Sequence, residues 1–396
     1  GQYTNMFFNP ISQVSDHLPF MTVAGNHEME APTFYNYLKY EDIGGWEGER
    51  YFSFYVGPVL FIGLNSNVQG TTQINWLEDL LETAQSDDAV KFIFASLHHP
   101  GRTEVWPDGN TWWVQNQVIP LLSSYDKVEH LSYGHTHAFE RGAPVEGNLR
   151  LMCFGGGGGH LDRWRMYSNQ TEYPEIHRSH DYHGYAVFDV DCENNSYTAT
   201  AYGLGNSDVQ MDNEVFDSWF RERNAPPPET PAPLYPNENS ADVDGRLVGS
   251  HFVGENDIMS SHFQVKEQDD FWSQAILDSK RDWENVYYDT GPPDFTPIDL
   301  NEGIDLRRLD IPGGTLQSSH YYEWRVRYRD QNLLWSDWSE SQLFYPIQLG
   351  DIADFTADVV EGNVPLEVYF TDLTTGDPLE WEWDFESDGI IDSYDR

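Results

Sequence analysis

Three short stretches decide how this sequence folds: Gly25-Asn26-His27-Glu28, Leu97-His98-His99-Pro100 and Gly134-His135-Thr136-His137. Each stretch follows an apolar run that predicts a buried strand. In an open α/β sheet, ligands bind in the crevice beyond the carboxyl ends of the strands. Strands that end in histidine at one edge can place several imidazole nitrogens around one point, and neutral imidazole binds zinc, iron, copper and nickel. The three stretches therefore predict metal-assisted hydrolysis.

The segments around these stretches alternate between strand-like and helix-like patterns. Predicted strands lie at residues 18–24, 51–56, 59–65, 90–95, 128–133, 149–154, 185–190 and 197–202. Predicted helices lie at residues 1–17, 32–40, 71–85 and 111–124. The dipeptide Gly57-Pro58, between two apolar runs, is typical of a hairpin. This alternation predicts an α/β domain.

Taken together, the three stretches resemble the calcineurin-like metallophosphoesterases. The segment Gly134-His135-Thr136-His137-Ala138-Phe139-Glu140-Arg141 is most similar to the purple acid phosphatases, which have Tyr where this chain has Phe139. The resemblance covers the first half of the chain and implies a metallophosphoesterase α/β sandwich of two mixed sheets flanked by helices. The family's first metal motifs, an early Asp and a Gly-Asp pair, precede the first strand, so the domain is expected to be N-terminally truncated.

The resemblance implies a role for each residue of the site. It places Asn26, His98 and His135 on one metal ion of a pair, and His137 on the other. It assigns His27 to contact the substrate phosphate and to protonate the leaving oxygen. Histidine suits that role because imidazole exchanges a proton near neutral pH.

Two neighbours of these residues are expected at the edge of the site. Glu28 is expected to orient His27, since carboxylates behind a site commonly fix imidazole rings. His99 is expected at the rim with its side chain pointing elsewhere, because it lies between the ligand His98 and Pro100.

The cofactors implied by the resemblance are two metal ions, iron with zinc, manganese or a second iron, about 4 Å apart. They imply a phosphomonoesterase of the acid phosphatase kind that acts on a phosphorylated small molecule. Two alternatives stay open: a phosphodiesterase or nucleotide hydrolase on the same fold, and an inactive adhesion or matrix-binding protein. Because the family's bridging carboxylate would lie upstream of Gly1, the chain as given is expected to be a poor catalyst.

Two further motifs invite a functional interpretation. His177, His180 and His183 form an H-x-x-H-x-x-H run, for which a surface loop is favoured over the rim of the site. Five glycines, at residues 155–159, follow a predicted strand. They lack the strand–GxGxxG–helix context of a dinucleotide-binding loop, so they indicate close approach of the backbone to another group.

Composition excludes some partners. The 396 residues include 66 acidic and 22 basic ones, a net charge of −44, which argues against binding to nucleic acid or an anionic membrane. No apolar run is long enough to span a membrane. The charge fits a soluble protein that is secreted, periplasmic or at the cell surface, and adaptation to high salt stays open. Whether the two cysteines, Cys153 and Cys192, form a disulfide is also open.

The pattern changes after the predicted phosphoesterase domain, residues 1–224. Residues 225–236 are rich in proline and predict a stiff linker. Residues 237–348 resemble a fibronectin type III-like β-sandwich with the tryptophan–arginine ladder of cytokine receptors. The alternating run of residues 322–329 and the stretch Trp335-Ser336-Asp337-Trp338-Ser339 carry this resemblance. Guanidinium groups stacked on indole faces make such a ladder structural.

Residues 349–396 resemble an incomplete polycystic-kidney-disease-type (PKD) domain. Asp354-Phe355-Thr356-Ala357 and Trp383-Asp384-Phe385 carry this resemblance. A solvated acidic turn is favoured over a calcium loop for Asp384, Glu386, Asp388 and Asp392 around Gly389. A cell surface or a polysaccharide is a candidate partner for the two β modules.

Overall fold

The computed structural model describes residues 4–15, 17–40, 50–237, 245–281, 285–287, 297–299, 304–317, 320–346, 354–359, 367–374, 381, 383, 385, 392 and 393. Backbone contacts divide the chain into two compact units. The first contains Gly1–Arg223 and Glu284–Ile298, and the second contains Asn224–Trp283 and Asp299–Arg396.

The first unit combines helices with two main sheets. Its helices are α1 (Asn9–Ser15), α2 (Pro32–Tyr37), α3 (Thr71–Ser86) and α4 (Ile119–Ser123). Short 3₁₀ and π turns lie at Thr4–Phe8, Asn26–Glu28, Pro107–Gly109 and Val114–Val118. The strands up to Glu222 are β1 (Phe52–Val56), β2 (Val59–Gly63), β3 (Phe92–Ser96), β4 (Val128–Tyr133), β5 (Phe139–Gly142), β6 (Arg150–Phe154), β7 (Ile176–His180), β8 (His183–Asp191), β9 (Ser196–Gly205) and β10 (Gln210–Glu222).

A seven-stranded mixed sheet is the centre of this unit. Its order is β1-β2-β3-β4-β6-β5-β7. The four neighbouring strands β2, β3, β4 and β6 are parallel. The outer pairs β1–β2, β6–β5 and β5–β7 are antiparallel. Successive side chains of a strand point to opposite faces. Accordingly, Ile93 of β3 lies in one apolar cluster with Leu77 and Leu81 of α3, whereas Phe92 and Phe94 lie in another. The sheet is therefore buried on both faces, as expected for parallel strands.

A second sheet, of order β10-β9-β8, covers the other face of the first. Tyr197, Ala199 and Trp219 on its inner side pack with Phe92 and Phe94. This sheet is antiparallel throughout, so only one of the two sheets predicted as mixed is mixed. The reason is local, since short turns join β8 to β9 and β9 to β10, and a short turn permits only antiparallel pairing. The predicted α/β fold, followed by all-β sheets, is confirmed.

One predicted strand is absent. Residues 18–24 form no strand in the structure, so this prediction is wrong. The backbone N–H of Thr22 donates instead to the phenolic oxygen of Tyr40, at 2.8 Å. The hydroxyl of Tyr40 in turn lies 3.0 Å from the carbonyl oxygen of Thr22. A side chain thus satisfies backbone groups that a neighbouring strand would otherwise pair.

The predicted hairpin and the predicted helix over residues 71–85 are confirmed as β1–β2 and α3. One polar residue of α3, Gln73, is buried and has a structural role. Gln73 accepts the N–H of Asn65 at 2.8 Å and donates to the carbonyl oxygens of Asn65 and Val68, both at 3.0 Å. This amide holds the loop after β2, which carries Ser66, in one conformation.

The remaining strands are β11 (Pro233–Tyr235), β12 (Arg246–Gly249), β13 (Ile258–Glu267), β14 (Leu277–Arg281), β15 (Asn285–Tyr287), β16 (Pro297–Asp299), β17 (Arg308–Asp310), β18 (Tyr322–Asp330), β19 (Gln342–Phe344), β20 (Phe355–Ala357) and β21 (Phe370–Asp372). They form sheets of order β11-β12-β17 and β14-β13-β18-β19, and two-stranded sheets β15-β16 and β20-β21. β11 lies in the predicted linker, residues 225–236, and pairs with β12. The end of that segment is therefore a strand.

The predicted stacking of arginine on tryptophan is present on β18. The guanidinium of Arg325 lies 4.1 Å from the ring centroids of both Trp272 and Trp338. Arg327 follows, 4.4 Å from Trp335 and 4.5 Å from Trp338. Alternation along the strand brings these arginines to one face. The division of the second unit into fibronectin type III-like and PKD-type domains stays a prediction.

Three points raised by the sequence remain: the state of the two cysteines, the acidic turn and membrane-spanning segments. Cys153 and Cys192 are both free thiols. Of the acidic turn predicted around Gly389, Asp384, Glu386 and Asp388 lie outside the described residues. In the part of the chain that the structure describes, no helix has the length and apolar character that crossing a membrane requires.

Candidate metal centre

Three histidines and one asparagine converge beyond the edge of the main sheet. The Nε2 atom of His98 lies 2.9 Å from Oδ1 of Asn26 and 3.0 Å from Nδ1 of His135. One ring nitrogen from each of His98, His99 and His135 lies within 4.8 Å of the other two. Four potential ligand side chains therefore surround one small volume.

Neighbouring parallel strands bring two of the sequence stretches together. Backbone pairing continues past the ends of β3 and β4, because the N–H of Leu97 donates to Ser132 O and that of Gly134 donates to His98 O, both at 3.0 Å. His98 and His135 thus leave the same edge of the sheet side by side. His135 has a φ of +70°, in the left-handed region, so the chain turns sharply at this residue.

Asn26 comes from a single 3₁₀ turn, Asn26–Glu28. The carboxylate of Glu28 accepts the N–H of Gly25 at 2.8 Å, and Nδ2 of Asn67 donates to the carbonyl oxygen of Gly25 at 2.9 Å. Glu28 therefore closes its own turn, and its predicted role in orienting His27 stays a prediction. His27 lies exposed on the same turn.

His99 does not point away from the other histidines, contrary to expectation. Its ring centroid lies 4.5 Å from that of His135 and 4.9 Å from that of His98. The hydroxyl of the fully buried Ser66 lies 2.8 Å from His99 Nδ1 and accepts the N–H of His99 at 2.9 Å. This double contact turns the ring towards the cluster, an effect that sequence adjacency to Pro100 could not reveal.

His137 lies apart from the three-histidine group but is oriented like a ligand. Its Nδ1 donates to the carbonyl oxygen of His160 at 2.6 Å, and its backbone N–H donates to Asp162 at 2.8 Å. A histidine that donates from one ring nitrogen to a carbonyl presents the other as a lone pair, which is the usual arrangement of a metal ligand.

Glycines in the predicted run allow this packing. A Cβ on Gly155 would lie 2.0 Å from the carbonyl oxygen of Thr136, and one on Gly159 would lie 3.0 Å from the ring of His137. The prediction of close backbone approach is therefore confirmed at Gly155, Gly156 and Gly159, whereas a Cβ on Gly157 or Gly158 would meet no atom within 4 Å. Gly155 and Gly159 approach the turn that carries His137, and Gly156 approaches the carbonyl oxygen of Tyr182.

The cluster is electrostatically suited to bind a cation. Burial, and then the neighbouring His99 and His135, lowers the pKa of His98 to about 3. Burial and nearby histidines also lower the pKa of His135 to about 4. Both imidazoles are therefore neutral at neutral pH, and metal binding requires that form.

The donor atoms fit a metal ion in type and in spacing. An amide oxygen with imidazole nitrogens is a donor set for zinc, iron or manganese. Two donor atoms bound to one ion through bonds of about 2.1 Å would lie no more than about 4 Å apart. The separations of 2.9 and 3.0 Å around His98 Nε2 are within that limit.

Several residues of the site were not found from the sequence. Asp162 accepts the N–H of His137, and its other carboxylate oxygen accepts the hydroxyl of Tyr167 at 2.7 Å. The indole of Trp106 lies against His135, with ring centroids 4.9 Å apart. Ser66, which positions His99, is equally inconspicuous. None of these residues belongs to a motif, and each reaches the site from a loop distant in sequence.

The H-x-x-H-x-x-H run is not a surface loop. His177 and His180 lie on β7 and are 1 % and 7 % exposed. Strand β7 pairs with β5, which places His180 opposite Phe139. The predicted surface position is therefore wrong, because pairing with β5 draws this segment into the main sheet.

Comparison with protein families agrees with this geometry. Residues 1–139 match the calcineurin-like phosphoesterase family. The match contains Asn26, His98, His135 and His137, and spans 139 of the chain's 396 residues. A comparison with curated protein sequences gave no significant match.

Some solved structures share part of the chain path. GAP50, the anchor in the inner membrane complex of Plasmodium, is 15 % identical over 42 % of this chain and 51 % of its own, with a TM-score of 0.33. The purple acid phosphatase PPD1 from yellow lupin (Lupinus luteus) seeds is 18 % identical over 56 % and 43 %, with a TM-score of 0.45. The fibronectin(III)-like modules of CbhA from Clostridium thermocellum are 12 % identical over 38 % and 62 %, with a TM-score of 0.21.

This chain covers about half or less of the first two structures.

Proposed function

We propose that the first unit hydrolyses phosphate monoesters with a pair of bound metal ions. The convergence of Asn26, His98 and His135 within a phosphoesterase family match is the observation that carries this proposal. These residues would hold one ion, and His137 would help to hold the second. Ions bound there would polarise the ester and lower the pKa of a nucleophilic water. Iron with zinc, manganese or a second iron suits this set of ligands.

The chain's own residues supply orientation and a proton. His27 is exposed on the turn that carries Asn26, so it is accessible to a substrate from solution. It donates a proton to the leaving oxygen. His99, turned inward by Ser66, adds a third imidazole beside His98 and His135.

Turnover with matched substrates tests the proposal. The full-length natural protein, loaded with Fe, Zn or Mn, is assayed on 4-nitrophenyl phosphate and on bis(4-nitrophenyl) phosphate. We expect a higher kcat/KM on the monoester, and loss of turnover after chelation or in His135→Ala. A preference for the diester would favour the phosphodiesterase alternative. Full metal occupancy without turnover on either ester would favour an inactive adhesion or matrix-binding protein.

Location and partners belong to the same proposal. The net charge of −44 supports a secreted, periplasmic or cell-surface protein that acts on a phosphorylated small molecule. The all-β second unit is the candidate for contact with a cell surface or polysaccharide.

A further inference from the structure

Glu140 is a buried carboxylate close in sequence to the metal centre that the proposed chemistry does not use. It lies on β5, three residues after His137, and is 1 % exposed. Its Oε1 accepts two backbone N–H groups, of Glu104 and Val105, both at 2.9 Å. A buried carboxylate is costly unless it is hydrogen-bonded, so these two contacts indicate a specific role.

The two N–H groups belong to the loop that follows His98 and His99. This loop also bonds to Thr136, because the hydroxyls of Thr103 and Thr136 lie 3.0 Å apart and are fully buried. Gln170 adds a third attachment, by donating to the carbonyl oxygen of Val105 at 2.7 Å. Three side chains from other segments thus hold residues 103–105 in place.

The next residue of the loop, Trp106, contacts a proposed ligand. Its ring centroid lies 4.9 Å from that of His135, at an interplanar angle of 40°. On another side His135 faces His99, at 4.5 Å. The contact is tight, since a Cβ on Gly109 would lie 3.0 Å from the Trp106 ring and 3.1 Å from the His135 ring. Trp106 therefore limits the orientations open to the His135 imidazole.

We propose that Glu140 is a positioning residue for the metal centre: it holds the loop of residues 103–106 so that Trp106 fixes the ring of the ligand His135. The inference rests on the proposed metal site but not on its catalytic activity. The proposed contact connects two of the three sequence stretches. Glu140, which follows His137, anchors the loop that follows His98 and His99. Loss of the anchor releases Trp106 and lowers the affinity of the site for metal.

Glu140→Leu and Trp106→Leu, singly and together, test this inference by titration of Co²⁺ into the metal-free full chain. Visible absorption reports ligation, and thermal melting reports folding. We expect Glu140→Leu to weaken Co²⁺ binding about tenfold, as removal of a partner behind a ligand does. Trp106→Leu should cause a similar loss. The double variant should bind within about threefold of either single variant, because both substitutions interrupt one chain of contacts.

Glu140→Gln is the matched control. It keeps the Oε1 acceptor for both N–H groups, and burial already raises the pKa of Glu140 to about 7, so a neutral side chain is close to the native state near that pH. We expect wild-type Co²⁺ affinity and spectrum. A loss in Glu140→Gln as large as in Glu140→Leu would overturn the inference, as would losses that multiply in the double variant.

Two results keep the test decisive. If Glu140→Leu does not fold, Trp106→Leu decides, and wild-type Co²⁺ affinity in that variant contradicts the inference. Absence of phosphoesterase turnover in the wild type would refute the proposed function alone, because Co²⁺ binding is measured without substrate.

Discussion

His98 in the first unit and His262 in the second have a similar electrostatic environment and different contacts. Burial lowers the pKa of His98 to about 3 and that of His262 to about 4. Both nitrogens of His262 have partners: Nε2 lies 2.6 Å from Asp278, and Nδ1 accepts from Arg327 at 3.0 Å. The Nε2 of His98 faces an amide oxygen and another imidazole nitrogen.

This difference separates a structural histidine from a candidate ligand. The lowered pKa reports burial in both cases. Only the convergence of several donor atoms on one volume indicates a site for a cation. His262 is instead part of the stacked ladder, where its ring lies 4.6 Å from Trp338 and its partner Arg327 stacks on the same indole. A perturbed pKa without convergent donors therefore predicts a packed network rather than a metal centre.

The largest expected effect is loss of metal in His98→Ala. Measured in the full-length protein, this variant should lose bound metal, and its activity should fall by more than about a hundredfold, because a direct ligand is removed and not a partner behind one. Folding should survive, since His98 lies beyond the end of β3. His262→Gln is the matched control and should keep full metal content. If elemental analysis found full metal occupancy in His98→Ala, His98 would not be a ligand, and the proposed difference between His98 and His262 would be wrong.

An intermediate effect is expected on acid stability. The pKa of folded His262 is about 4 and its ordinary value is 6.5, so the stability that its neutral form contributes is present above pH 6.5 and is lost as pH falls towards 4. The free energy of unfolding should decrease by about 1.4 kcal/mol per pH unit in that window. Asp278, whose pKa is lowered by its bond to His262 despite burial, acts in the same direction only below about pH 4.

His262→Gln isolates this effect, because glutamine can still donate to Asp278 and accept from Arg327 but does not titrate. Denaturant unfolding at pH 7 and pH 5 should show a smaller decrease in the variant than in the wild type by about 2 kcal/mol. Equal decreases in both proteins would show that His262 is not held neutral by the ladder.

The smallest effect is expected from Ser66→Ala. This change removes the hydroxyl 2.8 Å from His99 Nδ1, so the His99 ring gains freedom to leave the cluster. We expect a loss of Co²⁺ affinity of about three- to tenfold, which is below the ten- to hundredfold effect usual for removing a partner behind a ligand. Thr83→Ala, which deletes an exposed hydroxyl on α3, serves as the control. A Co²⁺ affinity equal to that of the control would show that the orientation of His99 does not contribute to metal binding.

Much of the fold could be predicted because its local patterns agree with its tertiary structure. The dipeptide Gly57-Pro58 between two apolar runs predicts the β1–β2 hairpin, and the spacing of Leu77, Leu81 and Ala84 predicts the buried face of α3. Residues 18–24 were predicted incorrectly because an apolar extended run has no intrinsic partner. Whether such a run pairs depends on its neighbours, and here Tyr40 satisfies part of its backbone.

The site shows the same division. The positions of His98 and His135 at one sheet edge follow from two apolar strands with histidine at their ends. Trp106, Asp162 and Ser66 could not be found, because each approaches from a loop and none has a motif. The inward orientation of His99 was missed for the same reason, since Ser66 lies 33 residues away in sequence.

The sequence by itself determined the α/β pattern, the histidine-bearing strand ends and the arginine–tryptophan repeat. Each of these features is either a pattern with a period of two or 3.6 residues or a short motif. Neighbouring residues are therefore enough to specify it. Only the tertiary structure decided which ring nitrogens converge, which histidines have a structural role in packing, and how Glu140 anchors the loop that carries Trp106. Such relations depend on distances between segments remote in sequence, and no local pattern encodes those distances.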